Sequence, residues 1–337
     1  RYYSVNWAAG LTGFAYNKTH FNENPSWELP VTTDELTDLA TEIKSDGYFP
    51  FMSMEGSYYD YAALTWWRQC MTDEEVDDFW NAIMRSPDGT QVSYNSNVGL
   101  NSYERLQAFQ LVEKYIGSKD VTISGQRKEY AVNDWLYTAD GRHSYLYSAR
   151  EAQVTLFDKT KKVVFMPNGD WLETEMQGNY DPGEVDISLR KIPVVSSLGT
   201  KLGITDEKLS KIVSYVDGNG EKPAVESTKG YSEDEVIEAV REARNLFISS
   251  SNSHIAYVPA YSDKIPEAKQ FLQFMSSDEG IRLYANATLG AGLPLEYDYL
   301  GDDQIEMSAF MRSSHEMMKG GSHYMDNMKD RLRALGG

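Results

Sequence analysis

The sequence has one cysteine, few basic residues and no long apolar run, and each shortage excludes a class of protein. Cys70 is the single cysteine, which excludes a disulfide framework. Lysine and arginine number 32 against 51 for aspartate and glutamate, so the net charge is −19. A chain this acidic repels phosphate backbones, and we expect no nucleic-acid partner. No apolar run approaches the ~20 residues that span a bilayer.

Aromatic residues, by contrast, are abundant. Phe, Trp and Tyr make up 12% of the chain, and 23 residues are Tyr. Such side chains combine an apolar face with a polar rim, which suits sugar recognition, but they also fill aromatic cores. The 337 residues and the hydrophobic share of 41% are typical of a globular chain of about two domains, or of one large α/β unit. We expect a soluble monomer.

Capping signals and a 3.6-residue apolar period predict amphipathic helices. A Ser or Thr followed three residues later by Glu is the signature of a helix start. The pairs with this spacing are Thr32 and Glu35, Thr72 and Glu75, Ser232 and Glu235, and Ser276 and Glu279. Pro266 marks the first turn of another helix.

Short apolar runs between these helices predict strands, because they are rich in β-branched and aromatic residues. They are residues 11–16, 48–52, 163–166, 192–195 and 254–258. Polar, glycine-containing stretches at 86–101 and 199–230 are predicted to be surface loops. Strands that alternate with helices indicate an α/β fold.

The usual catalytic and metal-binding motifs are absent from the sequence. There is no glycine-rich phosphate loop and no nucleophile elbow. His315 and Glu316 begin like a zinc-protease motif, but Lys319 stands where the second histidine belongs. We therefore predict no catalytic residue, no metal site and no cofactor.

One dense polar and aromatic segment follows the predicted strand 163–166. Asn168 and Asp170 offer an amide and a carboxylate to hydroxyl groups, and the Trp171 indole offers a flat face for stacking on a pyranose. Gly169 permits a sharp turn between them. The alternative is structural: Asp170 caps a helix and Trp171 packs inward. Trp7, Trp66 and Trp67 are further candidates for stacking walls, with burial in the core as their alternative.

Six segments occur in the order found in extracellular solute-binding proteins of carbohydrate ABC transporters, family 1 type, and the sequence resembles that family over nearly its whole length. They are residues 14–21 (FAYNKTHF), 30–36 (PVTTDEL), 46–50 (DGYFP), 163–176 (VVFMPNGDWLETEM), 192–197 (IPVVSS), and 257–262 with 268–280 (YVPAYS and AKQFLQFMSSDEG). Thr33 departs from the family pattern, which has Trp there.

The resemblance implies an α/β, two-lobed, periplasmic-binding-protein-like (type II) fold with a hinge. Because the family has several βα units before the first matching strand, the first lobe is expected to be incomplete. The implied division is residues 1–10 as a hinge or remnant of lobe one, 11–175 as lobe two, 176–292 as the C-terminal part of lobe one, and 293–337 as helices that return to lobe two.

The resemblance also implies a function: binding a sugar or oligosaccharide between the lobes and delivering it to the permease subunits of an ABC importer. The residues it places at the ligand are Trp171 as a stacking aromatic, Asn168 and Asp170 as polar groups, Trp7 at the cleft rim, and Trp66 and Trp67 in a nearby helix. The expected location is extracellular, at the cell surface, with a lipid anchor on the full-length parent. The alternatives are a carbohydrate-active hydrolase and a ligand-sensing relative of the same fold.

Overall fold

The computed structural model describes residues 5–7, 10–54, 58–81, 83–86, 89–94, 102–117, 119–123, 126–131, 134–137, 147–179, 184–249, 255–319 and 323–325. The strands are β1 (Val5–Asn6), β2 (Thr12–Asn17), β3 (Phe49–Phe51), β4 (Ile83–Arg85), β5 (Gln91–Tyr94), β6 (Lys119–Ile123), β7 (Gln126–Ala131), β8 (Val163–Gly169), β9 (Ile187–Arg190), β10 (Leu246–Ile248), β11 (Ile255–Ala256) and β12 (His323–Met325). The helices are α1 (Lys18–Glu23), α2 (Thr33–Ser45), α3 (Tyr59–Gln69), α4 (Asp73–Asn81), α5 (Tyr103–Ile116), α6 (Ala149–Phe157), α7 (Leu172–Met176), α8 (Ser197–Leu202), α9 (Asp206–Val216), α10 (Glu233–Arg244), α11 (Ile265–Met275), α12 (Asp278–Ala287) and α13 (Ala309–Met318).

A four-stranded mixed sheet with the order β3-β8-β2-β9 organises the described part of the chain. β8 runs parallel to β3 and antiparallel to β2, and β2 pairs antiparallel with β9. Every residue of β8 is buried, as expected for a strand with a neighbour on each side and packing on both faces. Because Thr12 pairs with Gly169, β8 ends beside the start of β2.

The two faces of this sheet carry different cores, because successive side chains of a strand point to opposite faces. Phe14 and Tyr16 of β2 face a core built with α2, α3, α5, α9 and α10. Ala15, between them, faces a second core built with α6, α7 and α13. The sheet therefore lies between helical layers, which confirms the α/β prediction.

The predicted helix starts are largely confirmed. Thr32 and Ser232 begin α2 and α10 with complete capping boxes. Thr72 and Glu75 exchange the same two hydrogen bonds ahead of α4. The prediction at Ser276 is one residue early, because the side chain that accepts from Gly280 N belongs to Ser277.

Two regions differ from the sequence predictions. Residues 192–195 do not form a strand: only Val194 makes a bridge, to Thr32, and Pro193 has no N–H to donate to a ladder. The strand of this region, β9, ends at Arg190. The stretch 199–230 is not one loop, since it contains α9, whose buried face is Leu209, Ile212 and Val213.

Two more predictions, one of a loop and one of a strand, fall partly on residues that the structure does not describe. Within 86–101, the described part includes β5, which forms a hairpin with β4. Residue 254 of the predicted strand 254–258 lies outside the described residues, and β11 covers two residues of it.

The sheet and its first core contain residues from both sides of the predicted boundary at 175 and 176. β9 pairs with β2, and Leu198 and Val236 share a core with Phe14. This boundary is therefore not a boundary of the sheet, and the lobe division stays a prediction.

The region around α11 and α12 is less buried than the sheet and its helical layers. α11 has no buried residue, although it contacts α12. β1 and β11 form a separate two-stranded antiparallel sheet. A small cluster of Ile281, Ala285, Leu293, Tyr299 and Ile305 anchors α12 to the segment that follows it. Within the described ranges, every helix is too short or too polar to cross a bilayer.

Candidate functional site

The candidate site lies where β8 ends, at residues 168–171. Asn168 is fully buried, and its Oδ1 accepts a hydrogen bond of 2.8 Å from the backbone N–H of Gly169. Its amide nitrogen is buried without a hydrogen-bond partner. The chain then turns, and the backbone N–H of Asp170 donates to Leu11 O at 2.9 Å. Asn168 thus supports the turn from inside, and its side-chain NH₂ group makes no hydrogen bond.

Asp170 is almost completely buried and lies on the wall of a cavity of about 620 Å³. Burial raises the pKa of its carboxyl to about 7, against the opposing effect of backbone hydrogen bonds from Leu11, Asp170 and Trp171. A cavity of this size is in the range of small-molecule sites. The site therefore offers a desolvated carboxyl that titrates near neutral pH.

The other walls of this cavity come from the segment after α12 and from α13. Tyr299 and His315 stack with ring centroids 4.7 Å apart and an interplanar angle of 17°. His315 Nε2 lies 2.7 Å from Gly290 O, and burial lowers the pKa of this histidine. The lining residues are Asp170, Ser249, Gly292, Leu293, Pro294, Leu295, Glu296, Tyr297, Asp298, Tyr299, Leu300, His315, Met318 and Lys319.

Trp171 is not among the residues that line that cavity and joins an aromatic cluster. Its ring meets Tyr58 edge-on at 6.0 Å and Tyr61 at 6.2 Å, and all three side chains are partly buried. The ring also covers Gly169 so closely that a Cβ there would collide with it. No side chain caps α7, so the capping alternative for Asp170 is not what the structure shows. Trp171 is neither sealed in the core nor fully exposed.

The structure corrects the interpretation of Trp66 and Trp67 as stacking walls. Both are 0% exposed, and both belong to the first core. Trp66 donates to Pro193 O at 3.1 Å, and Trp67 packs edge-on against Phe79 at 5.1 Å. The reason is that α3 lies between the sheet, α5 and α10, which leaves no face of either indole for a ligand.

Trp7 is 48% exposed and follows β1, beside β11. It is not among the residues that line the cavity. Of the predicted site residues, the structure therefore groups Asn168, Asp170 and Trp171 at one strand end and places Trp7 directly after β1 of another sheet. Its place at a cleft rim stays a prediction.

Sequence reasoning missed two pairs of site residues. Tyr58 and Tyr61 stand three residues apart around the start of α3, and that spacing on one helix face was a usable signal. Tyr299 and His315 carry no such signal, because they come from separate segments and meet only through the tertiary fold.

The described residues of the site combine aromatic faces with one buried carboxyl, a set suited to holding a polar ligand. Elsewhere in the described ranges, no three His, Cys, Asp or Glu side chains lie close enough to hold a metal ion. The lone thiol is no nucleophile at neutral pH, since burial raises the pKa of Cys70 to about 11.

Comparison with known proteins places this geometry in a recognised fold. No known protein-family profile matches the sequence, and no curated protein matches it. Among solved structures, the apo form of RafE from Streptococcus pneumoniae is similar at 14% identity and a TM-score of 0.53, over 99% of this chain and 67% of RafE. RafE in complex with raffinose gives 13% identity and a TM-score of 0.52, over 99% and 68%. A chitin oligosaccharide binding protein gives 12% identity and a TM-score of 0.57, over 98% and 62%.

These similarities show the fold, which is that of two-lobed solute-binding proteins. They confirm the predicted α/β fold class. The chain spans about two thirds of the length of the proteins it resembles.

Proposed function

We propose that this chain is part of a solute-binding protein that holds a sugar or oligosaccharide at the end of β8. One observation carries the proposal: the consecutive residues Asp170 and Trp171 supply a buried carboxyl on a cavity of about 620 Å³ and a ring of an aromatic cluster. Aromatic rings match the C–H faces of sugars, and a carboxyl accepts hydrogen bonds from their hydroxyl groups. Neither interaction breaks a bond.

The chemistry of the similar structures supports the same ligand class. RafE is solved with raffinose, and the chitin oligosaccharide binding protein is named for its ligand. A third similar structure comes from work on xylan utilization by a thermophilic bacterium. We extend this class of ligand to the present chain, with Trp171 and Tyr58 as the stacking residues and Asp170 as the hydroxyl acceptor.

The proposal includes a transport role. The protein works outside the cell, is tethered in its full-length form by a lipid anchor, closes its lobes around the sugar as a monomer and passes it unaltered to an ABC importer permease. Ligand binds the closed arrangement better than the open one, so hinge closure accompanies capture. In this proposal Trp7 lies at the cleft rim, and the division between the lobes near residue 175 stays a prediction.

Calorimetric titration with raffinose, chitin oligosaccharides and xylo-oligosaccharides tests the binding step. Trp171→Ala is expected to weaken binding by about 1–3 kcal/mol, the cost of losing one anchoring aromatic, which is roughly 5- to 150-fold in Kd. Trp171→Phe keeps an aromatic face and retains most of the affinity. Trp135→Ala is the matched control, because this partly buried indole stacks on Tyr115 instead. A Trp171→Ala protein with unchanged affinity and lower stability would refute the stacking role.

The hydrolase alternative makes a different prediction. The Asp170 carboxyl, with a pKa of about 7, has the protonation behaviour of a general acid. If purified protein released reducing ends from these oligosaccharides, and Asp170→Asn abolished the release, the chain would be an enzyme and the transport proposal would be wrong. We expect the sugar to be recovered intact.

A further inference from the structure

Asp170 carries a buried carboxyl that no cation among the described residues balances. It is 8% exposed and lies on the wall of the cavity of about 620 Å³. Burial raises the pKa of this carboxyl to about 7, and the opposing hydrogen bonds come from backbone N–H groups, with no contribution from a described cation. A desolvated carboxylate of this kind is stabilised most by a positive charge that reaches it from the cavity.

The other charged groups that line the cavity are mostly acidic. Glu296 and Asp298 are exposed carboxylates on the segment after α12, and Lys319, also exposed, is the single lysine or arginine among the described lining residues. His315 lies on the same wall, but burial lowers the pKa of its imidazole, which is therefore neutral at about pH 7. With Asp170, the walls carry three carboxyl groups against one ammonium group. Such a wall attracts a cationic ligand and repels an anionic one.

The rest of the wall suits an organic cation better than a bare metal ion. Within the described ranges, no three His, Cys, Asp or Glu side chains lie close enough to share a metal ion. The rings of Tyr299 and His315 stack with their centroids 4.7 Å apart, and Tyr297 meets Tyr299 edge-on at 5.1 Å. Aromatic rings cover the C–H faces of a sugar and also attract an ammonium group. The cavity therefore combines a surface for a sugar ring with a negative charge for a cation.

We propose that this cavity selects an amino sugar, whose primary ammonium group pairs with the carboxylate of Asp170. The inference rests on the proposed function and names the class of sugar that the same site prefers. The ammonium group supplies the positive charge that the walls lack, and a hydrogen bond between charged groups is about twice as strong as one between neutral groups. Sugars that carry a carboxylate are excluded, because Asp170, Glu296 and Asp298 repel them.

Calorimetric titration at about pH 6, where a sugar amine is protonated, tests this selectivity. The probes are oligosaccharides of equal length built from glucosamine, N-acetylglucosamine or galacturonate, which are cationic, neutral and anionic. The glucosamine form is expected to bind about 10-fold more tightly than the N-acetylated form, and the galacturonate form is expected not to bind. Equal or weaker affinity for the glucosamine form, or binding of neutral sugars alone, would overturn the inference and leave the proposed function standing. If none of these sugars binds, nor raffinose or xylo-oligosaccharides, the proposed function itself fails.

Variants assign the preference to this carboxyl. Asp170→Asn keeps the size of the side chain and an oxygen acceptor but removes the charge, so the ratio of the two affinities is expected to fall from about 10 to about 1. Glu296→Gln lowers the ratio by less than about 2-fold, because solvent screens an exposed carboxylate. Glu267→Gln, at an exposed position of α11 that does not line the cavity, is the matched control and keeps the ratio. An undiminished ratio in Asp170→Asn would refute the pairing.

Proton release gives a second readout on the unsubstituted protein, which decides if Asp170→Asn does not fold. At about pH 6 the free carboxyl is largely protonated, and pairing with an ammonium group favours its ionised form, so the glucosamine form is expected to release most of one proton. The N-acetylated form is expected to release almost none. Burial lowers the pKa of His315 and raises that of Tyr284, so neither changes its charge at this pH. Titrations in buffers of different ionisation enthalpy measure the release, and equal release with both forms would count against the pairing.

Discussion

Two amphipathic helices of this molecule, α2 and α11, have the same kind of sequence and opposite surroundings. α2 buries Leu36, Leu39, Ala40 and Ile43 against the sheet. α11 carries an apolar face of similar spacing, yet Phe271 is 61% exposed and Phe274 is 40% exposed. The difference shows that a 3.6-residue period predicts a helix and its apolar face, whereas only the tertiary structure decides whether another layer covers that face.

The same contrast separates the four-stranded sheet from the β1–β11 sheet. The four-stranded sheet has helices on both faces and a strand, β8, that is buried along its whole length. The β1–β11 pair has two strands of two residues each, and an isolated two-stranded pair is marginally stable at best. The stable part of the molecule is therefore the layered region, and the region around α11 depends on it.

The largest expected effect comes from the core of the layered region. Trp66→Ala removes a fully buried indole and is expected to lower the free energy of unfolding by about 3–5 kcal/mol. Phe271→Ala, the comparison on α11, leaves no cavity and changes it by less than about 0.5 kcal/mol. Urea unfolding followed by far-ultraviolet circular dichroism measures both. Equal losses would mean that α11 is packed as tightly as α3.

The second prediction concerns the pH dependence contributed by Asp170. Its pKa is raised from 3.8 to about 7 by burial, so between these values the folded chain binds more protons than the unfolded chain. Stability therefore falls as pH rises from about 4 to 7. Asp170→Asn abolishes this fall and stabilises the protein above pH 7 by up to about 4 kcal/mol. Glu267→Gln, at an exposed position of α11, is the control substitution of an acid outside the site. If Asp170→Asn kept the fall in stability, Asp170 would be solvated in the folded chain.

Helix caps provide the third comparison, because α2 and α12 each begin with a hydroxyl side chain that accepts from a backbone N–H three residues later. Thr32 accepts from Glu35 N, and Ser277 accepts from Gly280 N. Thr32→Ala is expected to cost about 1 kcal/mol in global unfolding. Ser277→Ala is expected to raise amide hydrogen exchange within α12 and leave the global midpoint within experimental error, because weakly covered elements open locally. A fall in the global midpoint for both variants would show that the two regions unfold together.

The smallest expected effect is on the exposed face itself. Replacing Phe271 and Phe274 together by Ser is expected to change the free energy of unfolding by less than about 0.5 kcal/mol for each residue. Binding of a hydrophobic dye is expected to fall, since the two rings are the largest exposed apolar groups of α11. Leu106→Ser on α5, where Leu106 is also exposed, is the control and leaves dye binding nearly unchanged. Unfolding of the double variant would show that these rings are buried in solution.

Much of the fold could be predicted from local chemistry. The capping boxes at Thr32 and Ser232 and the strands at 11–16 and 163–166 depend on neighbouring residues alone, and they are confirmed. The helix α9 was missed because glycine-rich turns on either side hid its three apolar positions. The candidate site was only partly predictable, since Asp170 and Trp171 share one turn, whereas Tyr58, Tyr299 and His315 reach it from elsewhere in the chain.

The tryptophans show which features follow from the sequence alone and which depend on the tertiary structure. The sequence by itself determined that α2 and α10 are helices and that an indole follows the turn at Gly169, because both depend on contacts within a few residues. Only the tertiary structure decided that Trp66 and Trp67 are core and that Trp171 stands beside Tyr58 and Tyr61. The exposure of an indole depends on which layers pack around it, and those layers come from segments more than a hundred residues apart, as the bond from Trp66 to Pro193 shows.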